Sequence, residues 1–197
     1  MKGKFIVVEG IDKSGKTTIC KKVAELLRDY DVKNIIQMGF PERSTEIGKI
    51  IDSYLKKKIE FDPHTIHLLF SANRWEYNSK IVEWIEKGNI IICDRYYYSG
   101  IAYSLSNNLD KRWCSTSDSG LIEPDLVIFI DISSNMVNKR NGFGDEIYEN
   151  TEYLEKTSSN LKELIQKNKN HIIIDGLDTP ENISSMIVEY LRKNLFK

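Results

Sequence analysis

A glycine-rich segment that ends in a lysine and a threonine carries the strongest chemical signal in the chain. Residues 10–17 read Gly-Ile-Asp-Lys-Ser-Gly-Lys-Thr, which matches the pattern GxxxxGK[ST]. In this pattern the glycines let backbone N–H groups turn toward phosphate oxygens, and the N-terminus of the following helix adds its dipole. Lys16 is expected to reach the β- and γ-phosphates of a nucleotide, and the Thr17 hydroxyl to bind Mg²⁺. A glycine turn with an incidental lysine is the alternative, which the apolar run before the segment and the helical pattern after it disfavour.

Two further segments place charged side chains just after apolar runs. Arg43 lies in the short segment 40–44, where an arginine could grip a phosphate dianion with two parallel hydrogen bonds or form an ordinary surface salt bridge. Asp94 ends the apolar run 90–93 and is followed by Arg95. Such an acid suits an Mg²⁺-associated carboxylate, and the arginine could hold an acceptor phosphate in line with the donor. An Asp–Arg pair that simply ends a strand is the other reading.

Phe70 and Arg74 are four residues apart in a helical segment and therefore share a face. A flat ring beside a forked donor could stack on a base and hydrogen-bond to its carbonyl edge, although a core phenylalanine beside a snorkelling arginine would give the same spacing. The base-reading NKxD pattern of GTPases does not occur, which leaves ATP-dependent enzymes as the better class.

Apolar, β-branched runs alternate with amphipathic segments along the chain. The runs predict five strands, at residues 5–8, 34–36, 90–93, 126–130 and 172–174. The amphipathic segments predict helices at 17–28, 64–86, 97–105, 153–166 and 180–193. This alternation favours an α/β fold of the P-loop NTPase type, with a parallel five-stranded sheet buried on both faces by helices. Ligands should bind beyond the carboxyl ends of the strands, and residues 1–197 read as a single domain.

Composition excludes several classes of function. The 197 residues carry 28 Lys and Arg against 29 Asp and Glu, a net charge of −1, so no domain-wide basic field would hold a nucleic acid polymer. The three cysteines, Cys20, Cys93 and Cys114, are widely spaced and suggest neither a disulfide framework nor a zinc site. No apolar stretch reaches the ~20 residues of a membrane span, and no secretory signal opens the chain, so we expect a cytoplasmic protein.

Several motifs together resemble those of thymidylate kinases. The resemblance covers nearly the whole chain in the family's order, and only the part beyond about Tyr153 lacks a specific motif. The matching segments are Gly10–Thr17, Phe40–Thr45, Leu69–Glu76, Asp94–Tyr96, Ser99–Tyr103, Gly120–Asp125 and Gly144–Glu149.

The resemblance implies transfer of the ATP γ-phosphoryl group to dTMP, with Mg²⁺, in a homodimer. Residue by residue, it assigns four sets of side chains. The ATP-binding set is Asp12, Lys13, Ser14, Gly15, Lys16, Thr17, Thr18 and Arg140. The dTMP-binding set is Asp12, Phe40, Arg43, Phe70, Arg74, Arg95, Gly100, Tyr103 and Tyr148. The catalytic set is Lys13, Lys16, Asp94 and Arg95, and the metal set is Thr17 and Asp94.

Individual roles follow from the same resemblance. Asp12 would hold the sugar 3′-hydroxyl, and Tyr103 would crowd the 2′ carbon and disfavour ribonucleotides. Phe70 would stack on thymine while Arg74 meets a ring carbonyl. Lys13 stands where one branch of the family has a basic phosphate-loop residue, usually arginine, that bears on the transferred group.

A lid is expected at residues 133–149, where residues 139–144 mix cations with glycines, as a flap over phosphates would. Arg140 is expected to stack on adenine, and Tyr148 to lie near the acceptor at the end of the lid. Two alternatives to a dTMP kinase remain: a broader deoxynucleoside-monophosphate or nucleoside kinase on the same scaffold, and a nucleotide-binding regulator without catalysis.

Overall fold

The computed structural model describes residues 3–30, 32–140 and 142–196, so Asn141 in the expected lid lies outside the described residues. Strands and helices alternate along these ranges. The strands are β1 (Lys4–Glu9), β2 (Ile35–Gly39), β3 (Ile90–Asp94), β4 (Leu126–Asp131) and β5 (His171–Asp175). The helices are α1 (Lys16–Asp29), α2 (Glu46–Leu55), α3 (Pro63–Glu86), α4 (Tyr97–Ser106), α5 (Lys111–Thr116), α6 (Ser134–Val137), α7 (Thr151–Gln166) and α8 (Pro180–Asn194).

All five strands pair in parallel in the order β2-β3-β1-β4-β5, which confirms the expected α/β architecture. The register places Gly39 opposite Asp94, and Asp94 opposite Val8. The carboxyl ends of the three strands β1, β2 and β3 therefore meet at one edge of the sheet. The segments that follow these strands are the ones whose charged residues were expected to bind ligands.

Alternating side chains of the strands supply two cores, because successive residues of a strand face opposite sides. Ile6 and Val8 face the layer formed by α1 and α8. Phe5 and Val7 face the other layer, against Ile81 of α3. On that same side, a neighbouring cluster joins β4 to α4 and α7.

The expectation that every strand is buried on both faces is wrong for β2 and β5. Gln37 of β2 and Ile173 of β5 are exposed, whereas the residues of β1 and β4 are almost all buried. The sheet order gives the reason, because β2 and β5 are its outer strands and are covered less completely.

The five expected helices occur with end shifts of one or two residues. Three helices were not expected: α2, α5 and α6. The first two are short and begin at local caps, Thr45 accepting a hydrogen bond from the Gly48 amide at 3.0 Å and Asp110 from the Trp113 amide at 2.8 Å. Among the described residues, no helix is both long and apolar enough to cross a bilayer.

Candidate active site

The phosphate loop joins the end of β1 to the start of α1. Gly15 caps the helix with φ 96°, a left-handed conformation that a side chain would strain. Lys16 is the first residue of the helix and is 5% exposed. Its ammonium donates to the Ile11 carbonyl at 2.7 Å and to the Ser14 hydroxyl at 3.2 Å. Burial, together with the charge of Arg95, lowers the pKa of Lys16 to about 8, so this cation is poised for an anionic partner.

Asp94 at the end of β3 meets Thr17 of α1. The Thr17 hydroxyl donates to Asp94 Oδ2 at 2.6 Å. Asp94 Oδ1 is buried and has no hydrogen-bond partner among the described residues. A hydroxyl and a free carboxylate oxygen are hard oxygen ligands of the kind that Mg²⁺ takes alongside waters and nucleotide phosphates. The donor set therefore fits Mg²⁺.

Arg95 lies at the centre of the second charged group. Its guanidinium donates to the Gly10 carbonyl at 2.8 Å, to the Ser99 hydroxyl at 2.9 Å and to Asp12 at 2.5 Å. Arg95 itself has φ 70°, a left-handed backbone that costs an ordinary residue on the order of 1–3 kcal/mol. Asp12 also accepts from the Tyr103 hydroxyl at 2.9 Å. Burial alone would raise the pKa of Asp12, but Arg95 and Lys16 reverse this and hold the pKa below its ordinary value.

Glu9 is hydrogen-bonded to residues around Arg95 and was not among the expected site residues. It is fully buried at the end of β1, where its carboxylate accepts from the Tyr96 amide at 2.8 Å and the Ser99 hydroxyl at 2.5 Å. Burial raises the pKa of Glu9, despite the opposing charge of Arg95. The only sequence signal for Glu9 is an acid that directly follows the apolar run 5–8.

A cavity of about 440 Å³ lies between the phosphate loop and the segments that follow β2 and β3. All nine of the expected dTMP-binding residues line it. They are Asp12, Phe40, Arg43, Phe70, Arg74, Arg95, Gly100, Tyr103 and Tyr148. Lys13, Lys16, Thr17 and Asp94 also line it, whereas Ser14, Gly15, Thr18 and Arg140 do not.

Arg74 is fully buried and hydrogen-bonded to Asp118, through Nε at 3.0 Å and through Nη2 at 2.7 Å. Sequence reasoning missed Asp118, since nothing in the segment around it distinguishes it from a loop acid. His67 also lines the cavity and is hydrogen-bonded through both ring nitrogens. Its Nδ1 lies 2.7 Å from the Ser104 hydroxyl, and its Nε2 lies 3.0 Å from the Cys114 carbonyl.

The segment expected to form a lid, residues 133–149 and called the lid below, contacts two cations that line the cavity. The Arg43 guanidinium forms ion pairs with Asp52 of α2 and with Glu146 of the lid, the latter at 2.8 Å. Glu149 lies 3.3 Å from the Lys13 ammonium. The two lid acids line the cavity and were missed as site residues, although both lie in a motif noted in the sequence.

Arg140 donates to the carbonyl of Lys13, which places the lid arginine against the phosphate loop. Its side chain is exposed there and does not line the cavity. Thr18 is likewise exposed, on the first turn of α1.

Known proteins are similar to this chain in sequence and in fold over nearly its full length. A family model described as Thymidylate kinase matches residues 8–187. A thymidylate kinase of Plasmodium falciparum is 43% identical over 193 residues, which are 98% of this chain and 91% of that protein. One of Schizosaccharomyces pombe is 41% identical, over 95% of this chain and 91% of that protein. The structure of a thymidylate kinase from Candida albicans aligns with TM-score 0.87 at 33% identity, covering 98% of this chain and 92% of that one.

Proposed function

The chain belongs to the thymidylate kinase family and is a kinase that converts dTMP to dTDP, and we propose how its residues divide this work. One observation supports the division. A buried lysine of a phosphate loop and a half-buried arginine after the neighbouring strand both line one 440 Å³ cavity. Two anionic substrates repel each other, so each needs a cationic group of its own.

The donor side is formed by the phosphate loop. Lys16 leaves its loop carbonyl to bind the β- and γ-phosphates of ATP, and the loop amides of Ser14, Gly15 and Thr18 surround the phosphate oxygens. Thr17 and Asp94 would hold Mg²⁺, which when bound neutralises charge on the phosphate oxygens. Arg140 lies beside the loop, and we assign its exposed guanidinium to stack on the adenine of ATP.

The acceptor side is formed by the segments after β2 and β3. Arg95 and Arg43 bind the phosphate of dTMP, and Asp12 accepts a hydrogen bond from the sugar 3′-hydroxyl. Tyr103, hydrogen-bonded to Asp12, fills the space in which a 2′-hydroxyl would lie. Tyr148 closes this side of the cavity through the contact between its hydroxyl and that of Tyr54, 3.1 Å apart.

The base lies at the far end of the cavity. Phe70 and Phe40 line this part with Gly100, and Phe70 stacks on the thymine ring. Arg74, fully buried, donates to a carbonyl of the ring.

Transfer itself needs alignment and positive charge more than covalent chemistry. Lys13, with φ 60°, projects from the loop between the donor and acceptor groups and bears on the transferred phosphoryl group. The lid, residues 133–149, keeps water from competing with dTMP for that group. Its ion pairs with Arg43 and Lys13 support this role, because both cations line the cavity.

We also propose a cytoplasmic homodimer. The three cysteines are free and buried, which suits a reducing compartment. Leu68 and Trp75 of α3 are 49% and 40% exposed, and an apolar helix face of this kind suits a second copy of the chain. Sedimentation in the ultracentrifuge at micromolar protein would give the oligomeric state.

The function is tested by measuring ADP release with a panel of acceptors. We expect dTMP to have the highest kcat/KM, above dUMP, dGMP and thymidine. Equal values for any of these would favour the broader kinase, and tight ATP binding without transfer to any monophosphate would favour a regulator.

A further inference from the structure

One face of α3 carries polar side chains that all reach the same segment, residues 114–122. Residues at spacings of three, four, seven, eight and eleven share a face of a helix. The members of this face are His67, Ser71, Arg74, Trp75 and Asn78. Each is hydrogen-bonded to a residue of the segment, at distances of 2.7–3.0 Å. The segment is therefore fixed to the helix along nearly three turns.

Asp118 is the charged residue of this segment that faces the helix. Its carboxylate accepts two hydrogen bonds from Arg74 and a third, at 2.8 Å, from the Ser71 hydroxyl. The side chains of Asp118 and Arg74 are only 3% and 2% exposed. A buried pair of parallel hydrogen bonds fixes the plane of a guanidinium as well as its position.

This pairing determines which part of Arg74 remains for a ligand. The bonds to Asp118 use Nε and Nη2, so the N–H groups of Nη1 take no part in the pair. Arg74 lines the cavity. A guanidinium has donors and no acceptor, so a ligand atom that faces it must be an acceptor.

Gly100 of α4 packs closely against the guanidinium of Arg74. A Cβ at this position would lie 2.7 Å from Nη2, 2.8 Å from Nη1 and 3.0 Å from Cζ of Arg74. Arg74 therefore has little room to turn away from its bonded position. His67 adds no competing charge, because burial and the nearby Arg74 lower its pKa.

We propose that Asp118 is a positioning residue for base selection, acting through Arg74. It holds the guanidinium so that the cavity accepts a pyrimidine with a carbonyl group at the ring position facing Arg74 and rejects one with an amino group there. This inference rests on the proposed function, since it concerns how the dTMP site reads its base. Asp118 contacts no reacting atom.

The test compares dTMP with 5-methyl-dCMP, which carries an amino group in place of the 4-carbonyl and lacks the N3 proton. The ratio of kcat/KM for the two acceptors is independent of the fraction of active enzyme. We expect Asp118→Asn to lower this ratio by about tenfold or more, because an amide cannot accept both Arg74 bonds and the guanidinium loses its orientation. Arg74→Met should lower it as far, and the double variant no further.

Asp118→Glu keeps the negative charge but moves the carboxylate by one methylene. If the asparagine variant does not fold, the same ratio measured with the glutamate variant tests the inference. Asp110→Asn is the matched control, because this exposed acid caps α5 at the start of the same region and should leave the ratio unchanged. A ratio within twofold of wild type in folded Asp118 variants, with both acceptors slowed alike, would make Asp118 merely structural and overturn the inference. The inference would also be overturned if the wild-type enzyme phosphorylated dTMP and 5-methyl-dCMP with equal kcat/KM. Absence of any transfer to dTMP by wild type would instead refute the proposed function.

Discussion

The floor of the cavity and its rim hold their cations in different ways. On the floor, Lys16 is 5% exposed and the side chain of Arg95 is 15% exposed, and both are bonded to backbone carbonyls of the phosphate loop. On the rim, the side chains of Lys13 and Arg43 are 31% and 42% exposed, and their acid partners include residues of the lid. Floor cations are held by the phosphate loop, whereas rim cations are paired with carboxylates that a substrate phosphate would replace under the proposed assignment.

The difference predicts that the floor dominates catalysis. Lys16→Ala should lower kcat by about 10²-fold or more, because it removes charge stabilisation in a buried site where solvent cannot replace it. Lys21→Ala is the control, since this lysine is exposed on the same helix. Steady-state rates at saturating ATP and dTMP measure the effect. Turnover within a few-fold of wild type would show that Lys16 is not a donor ligand.

Titration of the same lysine sharpens the comparison. With a pKa of about 8, lowered by burial, Lys16 loses its proton as pH rises through 8, and phosphate binding should restore it. ATP binding should then take up roughly 0.1 proton at pH 7 and roughly 0.9 at pH 9, with the affinity for ATP falling about tenfold between pH 7 and pH 9.

Isothermal titration calorimetry in buffers of different ionisation enthalpy measures this uptake. Lys16→Arg, which stays charged throughout the range, provides the control and should show no such pH dependence. Equal uptake in both proteins would assign the proton to another group, such as ATP itself.

The smallest effect is expected on the rim. Under the proposed assignment, Glu146 and the acceptor phosphate compete for Arg43. Glu146→Gln removes the competing charge, so the KM for dTMP should fall about two- to threefold, and by less at high salt. Glu46→Gln is a suitable control, because that acid pairs with Lys49 on an exposed turn. A rise in KM would mean that Glu146 positions Arg43, and a tenfold loss of kcat would erase the distinction between rim and floor.

The floor was also the part most accessible to sequence reasoning. Arg95 directly follows a buried strand and Lys16 belongs to the glycine-rich segment after another, so both stand in short motifs whose spacing indicates their chemistry. The rim and the base end depend on contacts between distant segments: Arg43 and Glu146 are 103 residues apart, and Arg74 and Asp118 are 44 apart. Local periodicity carries no information about such pairs, and this is why Asp118, Glu146 and Glu149 were missed. The partial exposure of β2 and β5 was missed for the same reason, since strand order is a property of the assembled sheet.

Asp94 and Arg95 are consecutive residues, yet under the proposed assignment one serves the donor and the other the acceptor. Their Cα atoms are joined by one planar peptide unit, a span of ~3.8 Å. The left-handed turn at Arg95 directs its side chain to the loop carbonyl of Gly10, while Asp94 remains with Thr17. Under this assignment, the residues that hold the two substrates are joined by a single covalent link, so motion of the lid or of the outer helices would not separate their Cα atoms.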